Sequence, residues 1–259
     1  MSSEVFMQKI LVFLVAGSAL ILAGCSDGSA GKTGVKNDAG VTDDSSNFLV
    51  FVGAYPAAYN QTVGPTTYAG FAQIEDTRLT DFGNPAGAVV MINGVQLLQR
   101  PDVGNYYFSS PNVGSFSQGD EVSISVEYNK IGNISTTMKV PVSVADFTLS
   151  PSLPATGVPN SATSYYLSWS PSPDADFYLP GYTVYSDSRP TFVTGQGTFL
   201  ENPNTAFTFT SADLTSASGT PYPFLDIYLS TCTEFRPPNV DPLSLFHLEG
   251  VDTVLKKNY

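Results

Sequence analysis

The chain has 259 residues, of which 13% are charged, and its 23 Asp and Glu outnumber its 11 Lys and Arg. This acidic balance argues against binding to nucleic acid, which needs a basic surface, and against electrostatic docking to anionic lipid. With two cysteines and one histidine, the chain has too few ligands for a cysteine-rich or histidine-rich zinc site, and we predict no cofactor.

The first segment is a short apolar run that follows a positive charge. Lys9 precedes an uncharged run at 10–23, which is too short to span a bilayer because a spanning helix needs roughly 20 apolar residues. The run is typical of the apolar part of a secretory signal. It ends in LAGC at 22–25, which resembles a bacterial lipobox. An ordinary secretory signal that contains a cysteine is the alternative.

The lipobox resemblance implies that Cys25 is acylated and becomes the first mature residue after removal of the signal at 1–24. Two or more acyl chains would anchor the protein stably to a membrane. Ser26 follows the cysteine, in place of the aspartate that tends to retain lipoproteins at the inner membrane of enteric bacteria. We therefore expect a lipid-anchored protein of the bacterial cell envelope, at the outer membrane rather than the inner one.

Residues 25–47 are predicted to form a disordered tether. Residues 26–47 contain no aromatic residue, and Val35 and Val41 are their only branched aliphatic residues. Such a segment cannot bury enough apolar surface to offset the entropy lost on ordering.

From Phe48 onward the sequence predicts an all-β fold, with a first β-sandwich at 48–145. Short runs of Val, Ile, Tyr, Phe and Thr alternate with Gly, Pro, Asn and Asp, and no long run has a helical period. Residues 121–128 alternate cleanly between apolar and polar. Asn93-Gly94 predicts a type I′ hairpin turn. The other predicted strands are 48–52, expected at a sheet edge, 68–75, 88–92, 95–98, 106–109 and 135–144, where Pro141 suggests an edge or a bulge.

Proline, glycine and small residues between about 145 and 162 indicate a boundary, so we predict a second sandwich at 146–259. Its stretch YYLSWSPSPDADFYLPGYTVYS at 165–186 resembles a fibronectin type III domain, with a strand ending in Trp-Ser-Pro, a loop and a Tyr-containing strand. The resemblance implies that Trp169 lies in the core between two sheets. Pro223 stands where the family usually has Tyr, so a looser immunoglobulin-like sandwich is the alternative.

The residues that could perform catalysis are few and scattered. His247 lies in an apolar run, and Cys232 is expected to be a small buried apolar residue. Three pairs of acids could in principle support glycoside hydrolysis, but each is expected to cap a strand end or turn: Glu75 with Asp76, Asp120 with Glu121, and Asp174 with Asp176. The last pair could also offer oxygen ligands to calcium, although no calcium-loop spacing supports this.

Exposed aromatic residues on a β-domain could form a platform for sugar rings. Adjacent residues of a strand point to opposite faces, so one residue of each tandem tyrosine pair risks exposure. The candidate ligand-facing residues are Tyr166, Tyr178 and Tyr185, with core packing as the competing interpretation.

These observations favour a non-enzymatic envelope lipoprotein that acts as a binding or spacer module for a protein or glycan. One alternative is an envelope glycoside hydrolase or an accessory domain of one. The other is a structural subunit of an envelope assembly, with a free sheet edge that a partner strand completes.

Overall fold

The computed structural model describes residues 45–57, 65–79, 83–152, 164–185, 193–196, 200–210, 224–250 and 253–255. The predicted signal, Cys25 and most of the predicted tether lie outside these residues. Within them, the secondary structure consists of β-strands and one 3-10 turn at Ser45–Asn47. The predicted all-β class is therefore confirmed.

Seventeen strands lie in the described residues. Those of the first half are β1 Phe48–Pro56, β2 Thr66–Asp76, β3 Val89–Ile92, β4 Val95–Gln96, β5 Leu98–Gln99, β6 Tyr107–Phe116, β7 Glu121–Tyr128 and β8 Gly132–Lys139. Those of the second half are β9 Ala145–Ser150, β10 Tyr165–Ser170, β11 Phe177–Tyr185, β12 Val193–Gln196, β13 Leu200–Glu201, β14 Ala206–Phe209, β15 Phe224–Phe235, β16 Leu245–Glu249 and β17 Thr253–Leu255. The predicted strands at 121–128 and 165–170 coincide with β7 and β10.

The hairpin between β3 and β4 is the one that the sequence predicted. Asn93 and Gly94 have φ angles of +50° and +76°, the two positive values that a type I′ turn requires. The strands pair directly around them, with Met91 opposite Gln96 and Ile92 opposite Val95.

The described strands form three sheets. The large sheet has ten strands, in the order β12-β11-β15-β16-β1-β2-β6-β5, with β13 paired to β11 and β17 paired to β15. The four-stranded sheet has the order β4-β3-β7-β8, and the three-stranded sheet has the order β14-β10-β9. The large sheet thus contains strands from both halves of the chain.

Both smaller sheets pack on the same face of the large sheet. Ile227 and Leu229 of β15 lie in the core that includes the three-stranded sheet, whereas Phe235 of the same strand packs against the core of the four-stranded sheet. Residues an even number apart in a strand share a face. The molecule is therefore two β-sandwiches, side by side, that share one long layer.

The contact that joins the two halves is a parallel pair between β1 and β16, in which Gly53 lies opposite His247 and Val52 opposite Phe246. The backbone N–H of Val50 donates a 2.9 Å hydrogen bond to Oγ of the buried Ser244. Because β1 also pairs with β2 along its length, it is a central strand, and our prediction of an edge strand at 48–52 was wrong. Local sequence could not reveal a partner almost 200 residues away.

The shared sheet crosses the boundary that we predicted between residues 145 and 146. Phe246 and Leu248 of β16 are buried in the core of the first sandwich. In the second half, β9, β10 and β14 share a core with β11 and β15 of the large sheet. The division of the chain into domains at 48–145 and 146–259 stays a prediction.

The end of the predicted tether is ordered in the structure. Ser45–Asn47 forms the 3-10 turn, and the carbonyl of Asn47 accepts a 2.9 Å hydrogen bond from the backbone N–H of Thr77. The prediction of disorder was therefore wrong for these three residues, because they cap the loop after β2 instead of remaining in solvent.

Gly53 is required where the two halves meet. A Cβ at this position would overlap Cε1 of both His247 and Phe71, whose rings pack 5.7 Å apart. We expect Gly53→Ala to lower the free energy of unfolding by about 1–3 kcal/mol, because the site has no space for the added methyl group and the variant would be overpacked. Urea denaturation measures the change.

Ser123→Ala, on the exposed face of β7, is the control and should change the free energy of unfolding by less than about 0.5 kcal/mol. Equal stability of Gly53→Ala and the unaltered protein would contradict the packing described at Gly53.

Candidate functional site

The candidate site is the open edge of the four-stranded sheet, formed by β8. This strand has eight residues and lies at the end of its sheet. The other edge strands among the described residues are shorter: β4 and β5 have two residues, β12 and β14 four, and β9 six. Of the two alternatives that Pro141 suggested, an edge or a bulge, the structure shows an edge, and the strand ends at Lys139 instead of continuing to residue 144 as predicted.

Alternate residues of β8 direct their backbone groups away from β7. The N–H of Val140 donates a 2.9 Å hydrogen bond to the carbonyl of Asp120, beside β7. In this antiparallel ladder the backbone groups of the even-numbered residues of β8 therefore point toward β7. Lys139 confirms the alternation, because its carbonyl accepts a 3.1 Å hydrogen bond from Oγ1 of Thr233 on β15. The backbone groups of Asn133, Ser135 and Thr137 therefore point outward.

A groove of about 360 Å³ runs along the first half of this edge. One wall is β8, and the other comes from Phe235 at the end of β15 and from Pro238 and Asn239 in the segment that follows it. Its volume lies within the range of about 300–1,000 Å³ typical of ligand-binding clefts. Phe235 is fixed there by packing against Phe246, with ring centroids 5.7 Å apart.

Sequence reasoning missed the groove because its walls are about 100 residues apart in the chain. The alternation along β8 and Pro141 indicated an edge, but no local pattern could bring Phe235 and Pro238 beside it.

The three candidate aromatic residues have different environments. Tyr166 is 49% exposed on the outer face of β10. Tyr178 is fully buried, its hydroxyl accepts a 3.0 Å hydrogen bond from the N–H of Ser172, and its ring contacts Trp169 edge to face. Tyr178 was therefore wrongly predicted as ligand-facing. The side chain of Tyr185 lies outside the described residues.

Trp169 and Cys232 have the environments that we predicted. Trp169 is buried between β10 and β11 in the second core, as the fibronectin resemblance implied. Cys232 is fully buried on the opposite face of the large sheet, in a cluster with Phe177 and Tyr107. A thiol in this position is inaccessible in the folded protein.

Glu75 and Asp76 do not converge on a common cleft. Adjacent residues of β2 point to opposite faces, and their surroundings shift their pKa values in opposite directions. Burial raises the pKa of Glu75, whereas hydrogen bonds from the Arg78 guanidinium, at 2.6 and 2.8 Å, lower the pKa of Asp76. The hydrolase alternative requires two acids facing one substrate, which this pair does not provide.

The other two acid pairs include carboxylates that bind backbone groups. Oδ2 of Asp120 accepts a 2.7 Å hydrogen bond from the N–H of Ser117, and Oδ2 of Asp176 accepts one of 2.8 Å from the N–H of Glu234.

Within the described ranges, no group of three or more His, Cys, Asp or Glu residues could hold a metal ion. In the same part of the chain, no helix has the length and apolarity needed to cross a membrane.

Comparison with known proteins adds little to this description. No protein-family model and no curated protein matches the chain. A solved structure of chicken CNTN1 domains FN1–FN3 is 12% identical, with a TM-score of 0.25, and the match covers 79% of this chain and 66% of that one. This TM-score is too low to establish a shared fold. The strand pairing and the cores instead define the class of the protein, which is a pair of β-sandwiches with a common sheet.

The edge assignment predicts an alternating pattern of amide exchange. The amides of Asn133, Ser135 and Thr137 should exchange about tenfold or more faster than those of Ile134, Thr136 and Met138, because solvent reaches the outward N–H groups without opening of the sheet. Residue-resolved hydrogen exchange by NMR measures both sets. Uniform protection along β8 would show that the edge is covered.

Burial of His247 predicts that stability falls in acid. Desolvation lowers the pKa of His247 from 6.5 to about 3, so between these values the unfolded chain binds a proton that the folded chain excludes. Stability should therefore rise with pH across this window and fall as the pH drops below 6.5, by about 2 kcal/mol between pH 6.5 and 5.

The measurement is urea unfolding of the unaltered protein and His247→Gln at pH 7 and pH 5. The variant lacks the histidine contribution, so its stability should fall less between the two pH values. Glu234, opposite His247 in the sheet, and Glu249 on the same strand are present in both proteins. Equal pH dependence of the two proteins would contradict the buried neutral state of His247.

Proposed function

We propose that this chain is a non-enzymatic, lipid-anchored binding module of the bacterial cell envelope that captures an extended segment of a partner protein along β8. The observation that supports this function is the eight-residue open edge beside the groove. Strand addition at such an edge uses main-chain hydrogen bonds for affinity and pockets for alternate side chains for specificity.

Most of β8 lacks the features that protect sheet edges from pairing. Protective features include prolines, lysines, bulges and shortness of the strand. In β8 the eight residues pair with β7 without a register shift, and Lys139 and the following Pro141 stand only at its far end. The segment 133–137 remains open to an added strand.

The groove adds selectivity to the main-chain contacts. A strand added to β8 would lie about 4.8 Å from it, which places it between the edge and the wall formed by Phe235 and Pro238. Every second side chain of that strand would then face this wall. An apolar side chain at one such position would cover the partly buried ring of Phe235 and the exposed ring of Pro238.

The lipobox resemblance supports the location of this binding module. Acylation at Cys25 would anchor the chain, and the absence of aspartate at position 26 favours the outer membrane. The envelope-assembly alternative uses the same edge, with a permanent subunit as the partner. The identity of the crosslinked partner in the experiment below separates a transient ligand from an assembly subunit.

The direct test is photocrosslinking in cells, with p-benzoylphenylalanine at Thr137 and, as a matched control, at Ser123. These two residues are directly opposite each other on neighbouring strands, but only Thr137 lies on the edge. We expect a discrete crosslink to an extended segment of one partner from Thr137 and a much weaker one from Ser123.

Ser135→Pro should abolish that crosslink. This proline removes an outward N–H donor, and an edge strand tolerates it because no ladder hydrogen bond is lost. Thr136→Pro removes an inward donor and should instead destabilise the fold, so the two variants distinguish loss of binding from loss of structure. A crosslink that survives Ser135→Pro, or forms equally from Ser123, would contradict strand addition.

The anchor is tested separately with Cys25→Ala. In cells labelled with a clickable palmitate analogue, the unaltered chain should incorporate the label and sediment with membranes. The variant should lose both properties. Membrane association and labelling that persist in Cys25→Ala would refute acylation at this residue.

A further inference from the structure

The outer face of the three-stranded sheet combines an exposed aromatic ring with a row of hydroxyl groups. Tyr166 lies at its centre, flanked by Ser150 on β9 and Thr208 on β14. Two residues further along β10, Ser168 lies opposite Thr148, and their hydroxyl oxygens are 2.8 Å apart. All of these side chains are exposed or partly exposed.

This face differs from the outer face of the four-stranded sheet. The sequences of its three strands, ADFTLS, YYLSWS and AFTF, contain no Lys or Arg and one acid, Asp146, whose Oδ2 accepts a 2.7 Å hydrogen bond from Ser170. The outer face of the four-stranded sheet has Glu121 paired opposite Lys139 and contains no aromatic residue from β7 or β8. Mixed charges are usual on a solvated sheet face, and the three-stranded sheet departs from this composition.

We propose that this face binds a neutral glycan, with one pyranose ring stacked on Tyr166 and the next sugar hydrogen-bonded to Thr148 and Ser168. The aromatic ring supplies an apolar surface for the C–H face of the sugar. Hydroxyl side chains both donate and accept hydrogen bonds, as sugar hydroxyls do. Because the three described strands offer no cation to an acidic sugar and have the carboxylate of Asp146, charge complementarity selects a neutral chain.

The dimensions of the sheet suit an extended ligand. Three strands span about 10 Å, and side chains two residues apart in one strand are about 6.6 Å apart. Among the described residues of this sheet, a chain of sugars can therefore lie along β10 from Tyr166 toward Ser170 without meeting a charged side chain before Asp146. This site is on a different sheet from the β8 edge, so it goes beyond the proposed capture of a partner strand and does not depend on it.

The test is affinity electrophoresis of the full-length protein, in a detergent without a sugar headgroup, through gels containing soluble polysaccharides. The neutral probes are a β-1,4-glucan, an α-1,4-glucan, a xylan and a mannan, and the acidic probe is polygalacturonate. At least one neutral polysaccharide should retard the protein, and polygalacturonate should not.

Variants then assign the binding to this face. Tyr166→Ala should weaken the affinity about tenfold, whereas Tyr166→Phe, which keeps the ring, should stay within about threefold. Thr148→Val, which keeps the shape but removes a hydroxyl, should weaken it about threefold to tenfold. Ser125→Ala on the four-stranded sheet is the control and should bind as the unaltered protein does.

The inference would be overturned if none of the four neutral polysaccharides retarded the protein. It would also be overturned if Tyr166→Ala and the unaltered protein had equal affinity, or if polygalacturonate bound more tightly than the neutral polysaccharides. The proposed capture of a partner strand is judged separately, because Tyr166→Ala leaves β8 unchanged and Ser135→Pro leaves Tyr166 unchanged. Either proposal can therefore fail without the other.

Discussion

The parallel pairing of β1 with β16 is the contact on which the architecture depends. It places Gly53 opposite His247 and makes one continuous sheet from strands of the first and second halves of the chain. Parallel strands are generally buried on both faces. Accordingly, Val52 and Phe246 enter the core of the first sandwich, while His247 is buried on the other side among the rings of Phe51 and Phe71. The absence of a side chain at Gly53 allows these rings to approach the strand.

Sharing a layer also determines which surfaces remain available for binding. The two smaller sheets occupy the same face of the large sheet, so their outer faces are turned away from it. At the first sandwich this leaves the edge of β8, with its outward backbone groups beside Phe235. At the second it leaves the hydroxyl-rich face around Tyr166. These two surfaces differ in chemistry, since one offers unpaired main-chain groups and the other an aromatic ring with hydroxyl groups.

Local patterns were sufficient to predict the elements that local chemistry determines. Strict alternation identified β7, the Asn93-Gly94 dipeptide identified the type I′ turn, and the Trp-Ser-Pro stretch identified β10 with its buried Trp169. The errors concern long-range pairing. The role of β1 as a central strand depends on β16, and the burial of Tyr178 depends on the register of β11 against β15. Neither partner can be read from neighbouring residues, and the groove at β8 was missed for the same reason.

The central claim is that the two sandwiches share one sheet, and the cooperativity of unfolding tests it most directly. Trp169, the only tryptophan, reports on the second sandwich by fluorescence, while amide exchange of Val122, Ile124 and Val126 in β7 reports on the first. Across a urea titration the account predicts that both signals change with the same midpoint, because a continuous sheet couples the halves into one cooperative unit. Two separate midpoints would contradict the shared sheet and would instead support two independently folding domains.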